Sequence, residues 1–301
     1  MLPSDPTDTA GRSLAIGALL LNALVWGLSW WPLRELQALG LHPLWSTALV
    51  YAGAVMFVLA WRPQAWLVLL RHRSLWLLLL ASGMTNVGFN WAVSVGDVVR
   101  VVLLFYLMPA WSIVLAWPIL GERPTPRALL RLLMALTGVV IVLKSPQSPW
   151  PLPQDGADAL ATLGGFFFAL TNILLRRLNQ TPSEGRMLAM FGGGALMASA
   201  AGLIGLGLGQ VSAPGLPPEG FVLALGLCLG FLLSNLALQY GAARLAAGTT
   251  ALVMLTDILF ASVSSSLMDA AQIDTRTLVG GGLIIAAALM AALQPSRSSA
   301  H

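Results

Sequence analysis

Asp257 is the only acidic residue deep inside a long apolar run of this chain. A charged group at the centre of a bilayer costs about 2.5–3.5 kcal/mol on insertion scales, so it faces a cavity or a partner. There it can hold a cation or a proton, or meet the amino group of a substrate. The plainer reading is a protonated acid bonded to a neighbouring helix, with Thr249, Thr250 and Thr256 close in sequence. Two amide pairs offer complementary chemistry. Asn86 and Asn90, like Asn235 and Gln239, are spaced i, i+4 and share a helix face. Amide N–H groups reach carboxylates and amide carbonyls reach ammonium groups, so two facing pairs could bind a zwitterion. Ordinary interhelical bonds, about 0.6 kcal/mol each in one membrane protein, are the alternative.

Thr171-Asn172 repeats the hydroxyl–amide pattern, and Asn172 joins the candidate substrate contacts; Asn22 is a weaker one. Trp26 and Tyr106 lie deep in apolar runs and could wall a cavity, with Trp91, Trp111 and Phe168 as further aromatics. Trp30, Trp31, Trp61, Trp66 and Trp150 fit the interfacial role of tryptophan better. Arg34, Arg100 and Asp97 fall near one face. Asp97 and Arg100 are spaced to pair, while either arginine could attract a carboxylate at a cavity mouth or snorkel to lipid phosphate. Glu122 with Arg123 reads as a surface contact.

Other chemistries lack their residues. Cys228 is the single cysteine and reads as a small core residue. His42, His72 and His301 are scattered, without the spacing of a metal site. Lys144, the only lysine, follows leucine rather than closing a phosphate-binding glycine loop. No metal or cofactor is expected, and any energy comes from a gradient or from an ATPase on another chain. An intramembrane serine enzyme would need a base such as histidine within a run, and an aspartyl enzyme a second buried acid. The chain reads as a non-enzyme.

The elements holding these residues must be membrane-spanning. Of 301 residues, 57% are hydrophobic and only 9% charged, with mean hydropathy +0.81. Soluble proteins carry about 25% charged residues. The net charge of +4, without a basic run, argues against nucleic acid. A helical span needs about 20 mostly apolar residues. Ten such runs occur, at 14–33, 43–61, 74–95, 98–120, 126–143, 158–176, 186–208, 220–241, 246–268 and 275–293. The first is too long for a signal-peptide core and ends in Trp30-Trp31, not at a small-residue cleavage site.

With the N-terminus inside, the inner segments hold twelve of the sixteen basic residues, so both termini are expected in the cytoplasm. Thr85-Asn86-Val87-Gly88-Phe89-Asn90-Trp91-Ala92 matches Ser234-Asn235-Leu236-Ala237-Leu238-Gln239-Tyr240-Gly241 at an offset of 149, which also pairs Arg127 with Arg276. Trp26…Arg34 resembles Phe168…Arg176 at a shorter offset. Five runs per half is odd, so halves 1–149 and 150–301 would enter the membrane from opposite sides. The expected fold is all-α, ten transmembrane helices as two five-helix inverted-topology repeats, the architecture of many secondary transporters. Glycine runs Gly192-Gly193-Gly194 and Gly280-Gly281-Gly282 read as close-packing surfaces.

The order of motifs resembles the ten-helix EamA-type exporters of the drug/metabolite transporter superfamily. It is carried by Ala23-Leu24-Val25-Trp26-Gly27, Leu107-Met108-Pro109-Ala110, Leu120-Gly121-Glu122-Arg123 and Gly230-Phe231…Asn235. Phe105-Tyr106-Leu107-Met108-Pro109 and the glycine–phenylalanine–asparagine pattern carry a narrower likeness to exporters of aromatic amino acids in that family. The resemblance implies amino-acid export across a bacterial cytoplasmic (inner) membrane by alternating access, with drugs or other small metabolites as the alternative cargo. It gives Pro109 a gating or helix-motif role. Where the family's ninth helix has a matching proline, Leu255-Thr256-Asp257-Ile258 brings an aspartate. A passive channel or scaffold is the remaining class. Partners are the small-molecule cargo and the lipid bilayer; a monomer suffices to close the bundle.

Overall fold

A computed structural model describes residues 6–96, 98–143, 153, 155–215, 218–268 and 275–293. Asp97, Lys144, Arg297 and most of the proline-rich 145–157 connection lie outside them, so the Asp97–Arg100 pairing does too. Among the described residues all regular structure is helical. In chain order the helices are α1 (Pro6–Leu28), α2 (Trp30–Ala38), α3 (Pro43–Trp61), α4 (Ala65–Arg71), α5 (Ser74–Val95), α6 (Val98–Phe105) and α7 (Met108–Leu120). They continue as α8 (Pro126–Leu143), α9 (Gly156–Arg177), α10 (Ser183–Gly207), α11 (Pro218–Ala242), α12 (Ala247–Met254), α13 (Asp257–Leu267) and α14 (Thr275–Ala292).

Among the described residues five helices are long and apolar enough to cross a membrane: 11–38, α3, α9, α10 and α11. The bent pair α4–α5, turned by 107°, makes a sixth. The other four apolar runs depart from unbroken spans for local reasons. The 98–120 run is split because Pro109, in the first turn of α7, has no N–H to give α6. The 246–268 run is split without proline. Ile258 N–H bonds Leu255 O at 3.3 Å, tightening the break, and the Thr256 hydroxyl donates to Val253 O at 2.7 Å. Helices α8 and α14 have 18 described residues each and carry an arginine at their second position.

The exterior is apolar. Leu133, Leu196, Val222, Leu267, Leu278 and Leu293 are largely exposed, a surface suited to lipid and not to water. This is a multi-pass membrane protein. In lipid, helices associate by packing and hydrogen bonding, since lipid tails are as apolar as leucine. Glycines supply the close approach. A Cβ at Gly83 would meet the Gly193 carbonyl at 2.6 Å, joining α5 to α10, and one at Gly88 would meet Gly164 Cα at 2.9 Å, joining α5 to α9. One at Gly138 would meet the Gly280 carbonyl at 2.6 Å, joining α8 to α14. Gly192 and Gly282, in the same glycine runs, have nothing within 4 Å.

Helix boundaries repeat at 149 residues. Adding 149 to α6 gives 247–254, which is α12; adding it to α8 gives 275–292, which is α14; the first residue of α7 maps to Asp257, the first of α13. The last residue of α1 maps to that of α9, so these two helices follow the same 149 offset, not the shorter one of the Trp26/Phe168 comparison. Packing obeys the same exchange. Helix α9 packs on α5, α6 and α7, and α1 packs on α11, α12 and α13. Helix α10 packs on α5 as α3 packs on α11, while α3–α10 and α8–α14 pair across the halves.

Candidate functional site

A cavity of about 380 Å³ lies where α1, α5, α9 and α11 meet the two helix breaks. It runs along α1 from Asn22 past Trp26 to Trp30 and Leu33 in α2, so it extends toward the α2 end of the molecule. Fourteen of its lining residues form seven pairs at an offset of 149. These are Asn22/Thr171, Ser82/Phe231, Thr85/Ser234, Asn86/Asn235, Phe89/Leu238, Phe105/Met254 and Met108/Asp257. The same offset thus relates residues of the cavity wall as well as helices around it. Under this register Ile258 takes the place of Pro109, and Asp257 falls one residue before it.

The polar residues are held from behind. On α3, Thr47 and Tyr51 are spaced i, i+4 and face Asn90 and Asn86 on α5. The Tyr51 hydroxyl donates to Asn86 Oδ1 at 3.1 Å, and Asn90 Nδ2 donates to the Thr47 hydroxyl. Asn86 Nδ2 also donates to Ser82 O at 2.8 Å. Across the cavity, Asn22 Nδ2 donates to Ser234 Oγ at 2.6 Å and to Ser234 O at 3.1 Å, tying α1 to α11. Asn235 Nδ2 contacts the Met190 sulfur at 3.2 Å, and Gln239 Nε2 donates to Asn235 Oδ1 at 2.6 Å.

Aromatic rings form two walls. Trp26 stacks on Phe231 with centroids 4.6 Å apart and planes 21° apart, and Tyr51 meets Phe231 edge-on at 5.9 Å. Opposite, Phe105 lies 4.7 Å from Phe89 and 5.6 Å from Phe168. Asp257 opens α13 at the second helix break, and Tyr106 of the first break lies beside it on the cavity lining. The two breaks therefore meet at the cavity wall.

Of the residues singled out in the sequence, Trp26, Asn86, Asn90, Tyr106, Asn235 and Asp257 all line this cavity. Gln239 does not. It lies behind Asn235 and borders a recess at the other end, with Arg186 and Arg244. Asn172 is buried and off the cavity, whose wall is reached by Thr171 instead. Pro109 is buried in the first turn of α7 and acts on the backbone. Tyr51 and Thr47 escaped the sequence reading, although two hydroxyls at i, i+4 in an apolar run were a usable signal.

The end opposite α2 is closed by ion pairing. Gly121, in the left-handed conformation at φ 72°, ends α7 and turns the chain so that Glu122 lies at its tip. Glu122 Oε1 meets Arg176 on α9 at 2.8 Å, and Glu122 Oε2 accepts the Ala247 N–H at 3.3 Å at the start of α12. Arg176 also donates to Leu245 O. Glu122, which reads as a surface contact with Arg123 in the sequence, instead clamps α7, α9 and the α11–α12 connection.

Residues 13–144 match the EamA-like transporter family. The EamA-like segment spans α1 from its third turn through α8, and so covers the first of the two equivalent helix sets. No curated protein matches the chain. A solved structure titled "Crystal structure of protein" superposes with a TM-score of 0.78, covering 95% of this chain and 100% of that one at 17% identity. That likeness concerns the fold.

Proposed function

We propose that this chain is a secondary carrier exporting small organic solutes across the bacterial cytoplasmic membrane by alternating access. Ten spans form two five-helix halves, 1–149 and 150–301, of opposite orientation, with the cavity between them. The observation that carries this reading is the cavity lining itself: seven residue pairs at the 149-residue offset line one cavity. A site on the axis relating two repeats can be reached from either face as the repeats rock. The split runs α6–α7 and α12–α13 fit the discontinuous helices that border such sites. The distribution of arginines supports cytoplasmic termini, so the α2 end faces outward and the Glu122–Arg176 clamp faces inward.

Trp26, Asn86, Asn90, Tyr106 and Asn235 contact the cargo in this reading, and Asp257 supplies the charge. Asn172 and Gln239 support them from behind, and Pro109 sets the helix break. The narrower likeness to aromatic amino-acid exporters favours neutral and aromatic amino acids as cargo, and the two aromatic walls suit a large side chain. Drugs or other small amine-bearing metabolites fit the same walls and the same acid.

The test is uptake of a labelled panel of amino acids, amine drugs and neutral metabolites into proteoliposomes. Saturation with concentration, and stimulation by unlabelled cargo on the far side, is the expected result. Flux rising linearly without limit would make the protein a channel, and no flux of any member would sink the carrier reading.

A further inference from the structure

The hydrogen-bond pattern of the cavity distinguishes the two ends of a zwitterion. Among its described lining residues Asp257 is the single acid, and there is no arginine, lysine or histidine. An incoming carboxylate would therefore meet an acid and no basic counterion. Its other means of binding would be amide N–H groups, and each of these amides already turns at least one N–H to the protein. The amide nitrogens of Asn22, Asn86, Asn90 and Asn235 each donate to atoms of the protein. The Tyr51 hydroxyl is likewise directed at Asn86.

What the lining leaves without a partner are oxygens: Asn22 Oδ1, Thr171 Oγ1 and Asp257 Oδ1. An ammonium group has N–H donors and no acceptor, the complement of the Asn22 and Asp257 oxygens, and the Thr171 hydroxyl can accept from it as well. The Trp26–Phe231 stack adds a π face, which attracts cations and buries a flat apolar body.

We infer that the cavity recognises monocationic arylalkylamines, through Asp257 and the unpaired oxygens of Asn22 and Thr171, in preference to zwitterionic amino acids. The inference rests on the carrier reading and narrows its cargo. It turns the amide pairs, which by spacing alone could serve a carboxylate, into scaffold that presents acceptors.

The experiment is competition binding of labelled tryptamine to the purified full chain, with L-tryptophan and indole-3-propionate as competitors. These share the ring and differ in which charged groups they carry. Tryptamine should bind at least about tenfold more tightly than L-tryptophan, whose carboxylate would be buried without a basic partner, and indole-3-propionate should be weakest. Equal or tighter binding of L-tryptophan, or no binding of tryptamine, overturns the inference.

Asp257→Asn should weaken tryptamine about tenfold, the value of one charge-assisted hydrogen bond, and leave uncharged 3-ethylindole unchanged, while Asp257→Glu keeps most of the affinity. Equal losses for both ligands in Asp257→Asn, with an unchanged melting temperature, would also overturn it. Should that variant fail to fold, the wild-type competition order decides. Counterflow in proteoliposomes separates the two readings. Tryptamine bound but not exchanged would sink the carrier and keep the cargo class, whereas exchange of L-tryptophan without tryptamine would do the reverse.

Discussion

At the scale of single residues, the cavity rests on a division of labour between groups that face the cargo and groups that hold them. Trp26 is of the first kind, stacked on Phe231 with one face toward the space. Trp26→Ala removes that surface, and a cation–π contact is worth about 1–2 kcal/mol when desolvated. The variant should raise the half-saturation concentration for transport roughly tenfold on that basis, with Trp26→Phe close to wild type. Gln239 is of the second kind, and Gln239→Leu should disturb transport less than Asn235→Leu in the same uptake assay. Spacing in the sequence placed Asn86, Asn90 and Asn235 on cavity-facing sides, because i, i+4 fixes a helix face. It placed Gln239 there too, because a face says nothing of depth along the axis. Asn172 shows the complementary limit. One residue is a 100° turn of the helix, enough to exchange the wall position for Thr171.

At the scale of helices, the two ends of the bundle differ. Trp30 Nε1 donates to Ser264 Oγ at 2.9 Å across α2 and α13 beside the cavity, whereas the other end carries the Glu122–Arg176 ion pair with two backbone bonds. By the 149 offset Arg176 corresponds to Gly27, whose close approach to α13 leaves no room for a side chain. The clamp thus belongs to one end only. Glu122→Gln should lower the melting temperature by a few degrees, since a partly exposed pair contributes about 1 kcal/mol. The charge swap Glu122→Arg with Arg176→Glu should recover part of the loss. Two additive losses in that double-mutant cycle would remove the clamp from the account. The clamp was illegible in the sequence because Arg123 adjoins Glu122, while the true partner lies 54 positions away. The helix breaks were half legible: Pro109 announces one, and nothing as strong announces the break at Leu255–Thr256.

At the scale of the whole molecule, the repeat read from eight matched positions extends to helix boundaries, to packing pairs and to the cavity wall. Long apolar runs with few charges made the all-helical membrane class legible from composition and run length. Whether each run crosses the membrane unbroken depends on single breakers, so ten apolar runs became fourteen helices among the described residues. The central claim is that the site opens to one face at a time. Thr85, on the cavity wall and partly exposed, is the position that reports on this directly, in a chain whose Cys228 is replaced by alanine. In vesicles of defined orientation, a membrane-impermeant maleimide should label Thr85→Cys from the α2 side at rest. It should label from the clamp side only while cargo is being exchanged. Labelling from both sides at once in the absence of cargo, or from the clamp side alone at rest, would contradict the account.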